Sequence, residues 1–313
     1  MSTVEEVEFK AVDGGTLRGR MFPAASRGPG VVMVPGSNTT KDMSGLPETS
    51  RSFQAAGITA LIYDHRGIGA SDGSPRNDIN PFLQVDDLSD ALSFLSSCAT
   101  VDPRQGVGLW GYSLGGSVAM VTAALDPRAH FLIAVCPITE ITLRPVLAKT
   151  AKGRESQVKG NESFYVPMLN KHGENPAGFN PGFDEITIRR LLESYNELDP
   201  LRVSLAENHV NRTTVGTYRH MLLWDMQHMW KYITQPTLFT LARNDSLLSV
   251  DTQMVHFNKT VVPKKLHVQE EAGHMDILEG ESHKSLSSLQ IEFIRDALVV
   301  VNSTALTLGL EKC

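Results

Sequence analysis

The sequence predicts an α/β fold: a mostly parallel eight-stranded sheet flanked by helices, with an inserted cap. Three observations carry that expectation. Short uninterrupted apolar runs at 30–34, 59–63, 106–110, 130–136 and 237–242 have the character of strands buried on both faces, as in a parallel sheet. A Gly-x-Ser-x-Gly turn, Gly111-Tyr112-Ser113-Leu114-Gly115, joins one of these strands to a helical stretch of small and apolar residues. Finally, about 98 residues separate the strand stopped by Pro137 from the next strand signal, where about 2–6 residues are usual. Residues 1–137 and 236–313 are therefore expected to build the core, and 138–235 a mostly helical inserted cap.

Composition agrees with one large soluble unit. The chain has 313 residues, of which 41% are hydrophobic and 20% charged, enough apolar surface for a sizeable core. A net charge of -6 and a pI near 5.9 give no long-range attraction for nucleic acid or an anionic membrane, which leaves a small molecule or a protein as partner. No apolar stretch approaches the roughly 18 uncharged residues of a membrane span. Residues 1–6 lack the features of a secretory signal, so the expected compartment is the cytoplasm. Cys98, Cys136 and Cys313 form an odd set without metal-ligand spacing, which suits free thiols in a reducing compartment. Neither a metal nor a cofactor is expected, and oligomeric state is open, a homodimer included.

Taken in order, 4–9 and 17–22 alternate in polarity across Asp13-Gly14-Gly15 and read as a hairpin at the antiparallel edge of the sheet. The strand at 30–34 leaves through Pro35-Gly36-Ser37-Asn38, a loop whose glycine lets backbone approach a substrate closely. A helix at 46–56 ends at Gly57, and the strand at 59–63 runs into a glycine- and charge-rich turn beginning Asp64-His65-Arg66-Gly67. That turn is read as a hydrogen-bonded brace for the top of the sheet, in preference to a catalytic Asp64 or His65. Apolar residues at helical spacing mark 82–98, including Val85, Leu88, Leu92 and Leu95. In the insertion, helical patterns occur at 186–198 and 220–230. The latter holds Met221, Met226 and Met229 with Trp224 and Trp230, residue types that suit either a pliable pocket wall or glue between cap and core. Asn38, Tyr112, Met221, Trp224 and Met229 are the candidate pocket residues.

The Gly-x-Ser-x-Gly turn presents Ser113 as a nucleophile, with the Leu114 amide as one oxyanion donor and the Ser37 amide as the second. A serine needs a base, and the base an orienting acid; on this architecture acid and then histidine follow the serine. Asp245, just beyond the strand at 237–242, is the acid, with Asp251 as runner-up in the first turn of a helix. His274, just beyond the strand at 265–269, is the base, while His256, His267 and His283 fall on regular elements. Such a trio attacks acyl carbonyls through an acyl-serine.

With those residues assigned, the chain resembles an α/β-hydrolase over about residues 4–302, and more narrowly the fungal polyketide transferase and thiohydrolase group. The resemblance rests on Val7-Glu8-Phe9-Lys10, Pro35-Gly36-Ser37-Asn38, the stretch from Gly57 to Asp64, Gly67-Ile68-Gly69-Ala70-Ser71-Asp72-Gly73, and Ile133-Ala134-Val135-Cys136-Pro137. It implies release of a polyketide chain from the carrier-protein thioester of a polyketide synthase. Acceptors in that group are water, an alcohol, or a hydroxyl on the same chain, the last giving macrolactonisation. Some relatives carry a nucleophilic cysteine; this chain has Ser113, so thiol chemistry is not transferred to it. Alternatives are a cytosolic carboxylesterase or lactonase of small molecules, and a non-catalytic ligand-binding protein on the same fold.

Overall fold

The computed structural model describes residues 3–43, 45–140, 165–170, 209–260 and 264–308, together with Glu155, Glu185 and Arg189. The first half runs β1 (Glu5–Lys10), β2 (Thr16–Phe22), β3 (Gly30–Val34), α1 (Leu46–Ala55), β4 (Thr59–Tyr63), α2 (Pro81–Ser97), β5 (Val107–Tyr112), α3 (Leu114–Leu125) and β6 (Leu132–Val135). Then come β7 (Tyr165–Val166), β8 (Thr213–Thr214), α4 (Val215–Leu223), β9 (Thr237–Ala242), α5 (Val250–Lys259), β10 (Lys264–Gln269) and α6 (Gly280–Leu308).

Eight strands form one sheet in the order β1-β2-β4-β3-β5-β6-β9-β10. The hairpin turn carries Gly14 at φ 89, a left-handed conformation that suits glycine, and pairs Glu5 with Met21 through Lys10 with Thr16. β2 is antiparallel to both its neighbours, whereas every pairing from β4 across to β10 is parallel. The strand order reverses at β3, which lies between β4 and β5. In an open α/β sheet the crevice beyond the carboxyl ends of strands at such a switch point is where ligands bind. The loops leaving β3 and β5 open onto it.

The period-2 alternation of the buried strands divides their side chains between two cores. Val32, Val34, Leu61, Tyr63 and Leu109 pack on one face with Leu88 and Leu92 of α2 and Val118 of α3. Val31, Met33, Ala60, Ile62 and Trp110 pack on the other with Phe53 of α1 and Phe293 and Ile294 of α6. The sequence-predicted strands at 59–63 and 237–242 have those bounds in the structure; 130–136 shortens to β6, and the helical stretch after the Gly-x-Ser-x-Gly serine begins at Leu114.

One expectation holds only in part. The helix predicted over 220–230 ends with α4 at Leu223, and a separate 3-10 turn covers Gln227–Tyr232. The break falls where Trp224 turns inward, its indole N–H donating to Ser117 Oγ of α3 at 2.9 Å. Trp224 and Trp230 both belong to the core around α3, so burial of two large rings on the scaffold overrides the local helical period. The two-residue ribbon β7–β8 carried no sequence signal. Apart from Arg189, the helix expected at 186–198 lies outside the described residues, as does most of the predicted insertion. Among the described residues, no helix is long and apolar enough to cross a membrane.

Candidate active site

Ser113 occupies the single residue between β5 and α3, with φ 56 and ψ -121. A non-glycine residue at positive φ stores about 1–3 kcal/mol and persists only where its surroundings over-determine it. They do so here. The Ser113 N–H donates to Val135 O at 2.9 Å, and its carbonyl accepts from the N–H groups of Gly116, Ser117 and Ile138 at 3.0, 3.3 and 3.1 Å. The flanking glycines are required by space: a Cβ on Gly111 would lie 2.1 Å from Gly115 O, and one on Gly115 would lie 2.3 Å from Pro35 O.

Two loops from the far side of the sheet meet this turn. Asp245 follows β9 and His274 follows β10. His274 Nε2 lies 3.0 Å from Ser113 Oγ, and Nδ1 lies 2.8 Å from Asp245 Oδ2. The side chains of His274 and Asp245 are 2% and 0% exposed, so the line is shielded from water. Asp245 Oδ1 accepts the N–H groups of Leu247 and Leu248, both at 2.9 Å, which orients the carboxylate. Because a carboxylate only accepts, the proton belongs on Nδ1, leaving the Nε2 lone pair to face the serine hydroxyl. Such a line can take a proton from the hydroxyl and return it to a leaving group.

Backbone donors surround the same point. Leu114 heads α3, so its N–H has no intrahelical acceptor and shares the positive end of the helix dipole. The loop after β3 presses on the serine: a Cβ on Gly36 would sit 3.1 Å from Ser113 Cβ. Thr39 Oγ1 donates to Gly36 O at 3.0 Å, and His65 Nε2 donates to Pro35 O at 3.3 Å. The brace reading of the 64–73 turn holds. Asp64 accepts from the Lys41 N–H, Lys41 Nζ and the Ala70 N–H at 2.7, 3.0 and 2.9 Å, and burial lowers the His65 imidazole to about 4.

The candidate pocket residues divide. Met221 joins Ile68, Ile79, Tyr218 and Leu114 in an apolar cluster that reaches the serine through Leu114. Tyr112 is committed to a brace, its hydroxyl donating to His274 O at 2.6 Å. Asn38 Nδ2 donates to Val210 O at 3.1 Å, Trp224 is bound to Ser117, and Met229 is half-buried in the 3-10 turn. Asp251 lies in the first turn of α5 behind the Ser249 cap, and His256 packs edge-on against Trp230.

Sequence reasoning missed Cys136. Its Sγ, a carboxylate oxygen of Asp245 and a ring nitrogen of His274 all lie within 4.8 Å of one another. Burial first, and the Asp245 charge second, push the thiol well above its ordinary pKa, so it sits there protonated. Both ring nitrogens of His274 already face hydrogen-bond partners, Asp245 and Ser113. Nothing local marks Cys136; its place follows from β6 lying between β5 and β9.

A serine on a strained strand-to-helix turn, at the switch point of this sheet, defines an α/β-hydrolase. The family described as serine aminopeptidase, S33, matches residues 30–281, and the chain belongs to that α/β-hydrolase family. It is similar to a thiohydrolase of Eupenicillium brefeldianum, 40% identical over 93% of this chain and 94% of the relative. It is also 36% identical to a polyketide transferase of Stachybotrys chlorohalonatus, across 95% of this chain and 98% of that one. Among solved structures, DcsB in complex with its substrate analogue superposes with a TM-score of 0.87 at 32% identity, covering 94% of this chain and all of that one (100%).

Proposed function

We propose that the protein is a serine thiohydrolase or acyltransferase that releases a polyketide acyl chain from a carrier-protein thioester in the cytoplasm. The observation that carries this reading is the buried line from Ser113 through His274 to Asp245. The names of its thiohydrolase and polyketide transferase relatives support the substrate class. His274 Nε2 takes the Ser113 proton as Oγ attacks the thioester carbonyl, and the Leu114 and Ser37 N–H groups hold the oxyanion. Collapse expels the thiolate, which takes the proton from His274 and leaves acyl-Ser113. His274 then deprotonates water, giving the acid, or a distal hydroxyl of the same chain, giving a macrolactone. Residues 138–235 act as the cap that decides between these by excluding water and folding the chain back, with Met221 against Leu114 at the start of the acyl path.

The test uses a hydroxy-acyl N-acetylcysteamine thioester bearing a distal hydroxyl, with free thiol and products followed by mass spectrometry. Wild type releases thiol and Ser113→Ala does not; the lactone-to-acid ratio reports the acceptor. Equal release by both proteins would sink the mechanism. Comparable turnover of short simple esters would replace it with a small-molecule esterase or lactonase.

A further inference from the structure

The loop that offers the Ser37 amide is held on both sides. On one side, His65 and Thr39 bind the carbonyls of Pro35 and Gly36. On the other stands Asn38, at φ 53, a left-handed conformation that asparagine adopts more readily than other non-glycine residues. What holds it comes from 171 residues further along the chain: His209 Nε2 lies 2.8 Å from Asn38 O. The adjacent carbonyl, Val210 O, accepts from Asn38 Nδ2 at 3.1 Å. Asn38 is 2% exposed and His209 9%, so water does not compete well for either bond. A carbonyl only accepts, so Nε2 carries the proton in this contact.

We propose that His209 is a positioning residue: by holding the Asn38 carbonyl, it fixes the loop that aims the Ser37 N–H at the oxyanion. Ser37 lies between two fixed points, the Pro35–Gly36 carbonyls and the Asn38 backbone. Asn38 O shares its peptide plane with the Thr39 N–H, which faces Gly36 O at 3.5 Å, and Gly36 O shares its plane with the Ser37 N–H; releasing Asn38 O frees the 38–39 peptide to turn and loosens the hold on the Gly36–Ser37 peptide. His209 and Val210 lie between β6 and β9 in the chain, and their position is transmitted to the oxyanion site by these two hydrogen bonds. The clamp deepens the acyl-transfer reading and rests on it.

The experiment compares full-length wild type with His209→Ala, His209→Gln, Asn38→Gly and Ser113→Ala on the N-acetylcysteamine thioester. Because losing one oxyanion donor costs about 100- to 1000-fold and a misaimed donor costs part of that, His209→Ala should lower kcat about 10- to 100-fold. KM should stay within about twofold, since the amide acts on the tetrahedral state and not on the ground state. Affinity for a trifluoromethyl ketone analogue, which forms a tetrahedral adduct, should fall by a similar factor, while affinity for a non-reactive ketone analogue holds. His209→Gln, which keeps an N–H donor, should recover most of kcat. Asn38→Gly keeps the carbonyl that His209 binds but loses the Nδ2 contact with Val210 O, and should lose less kcat than His209→Ala; a larger loss would overturn the clamp. A wild-type kcat in His209→Ala overturns the clamp, as does a loss confined to KM. If the alanine variant does not fold, His209→Leu, close in size but without a donor, is read against the same criteria. Wild-type turnover by Ser113→Ala would remove the acyl-transfer reading itself; an inactive Ser113→Ala beside an unimpaired His209→Ala removes only the clamp.

Discussion

Replacing Asp245 by asparagine perturbs the relay through hydrogen bonds already in place on the acid. Oδ1 of Asp245 accepts two N–H groups, from Leu247 and Leu248, both at 2.9 Å. An asparagine must keep its carbonyl oxygen toward those donors, which turns its NH2 toward Nδ1 of His274, 2.8 Å from the other carboxylate oxygen in the wild type. Nδ1 then becomes an acceptor and the ring proton moves to Nε2, where it faces Ser113 Oγ and cannot receive the serine proton. To restore the working tautomer the amide must flip and strand both backbone donors. Each unsatisfied group costs about 1–3 kcal/mol, so the barrier rises by about 2–6 kcal/mol, or about 30- to 25,000-fold in kcat. Thioester turnover by purified variant and wild type measures the ratio. Thermal unfolding serves as the control, since the Leu247 and Leu248 bonds survive and Tm should move by only a few degrees. A loss below about fivefold would refute the tautomer argument and the role of Asp245 with it.

Two further outcomes are expected. His65 is buried, its pKa lowered to about 4 by desolvation, whereas in the unfolded chain it protonates near 6.5. As pH falls from 6.5 to 4 the unfolded chain binds a proton that the folded one refuses, so stability declines over that window by up to about 3 kcal/mol. Urea midpoints at several pH values should show this decline weakened in His65→Gln; an unchanged slope would clear His65. Trp224→Phe should cost about 1–3 kcal/mol in urea unfolding, because it strands the Ser117 hydroxyl, now 2.9 Å from the indole nitrogen. In that background Ser117→Ala should cost little more; two fully additive losses would mean that the pair is not coupled.

Much of the scaffold was legible because its signals are local. Buried strands such as 59–63 and 237–242 announce themselves as short apolar runs, and the glycines at 111 and 115 are demanded by backbone oxygens at 2.1 and 2.3 Å from where a Cβ would be. Ser113, Asp245 and His274 could be named because each stands just past the end of a recognisable strand, and the fold brings those ends to hydrogen-bond distance. The 64–73 turn was read as a brace from its charge and glycine content, and Asp64 does anchor Lys41 and Ala70.

Other features depend on which strands become neighbours and which distant loops touch. Cys136 reaches Asp245 and His274 because β6 lies between β5 and β9. Tyr112, expected in a pocket, gives its hydroxyl to His274 O, and the predicted 220–230 helix breaks so that Trp224 can reach Ser117. His209 meets Asn38 across 171 residues of chain. Periodicity and turn chemistry report on a window of a few residues, so the chain by itself determined its strands, its elbow and the order of its reactive groups. The partners of those groups were decided by packing, where the need to bury rings and satisfy buried donors outweighs local preference.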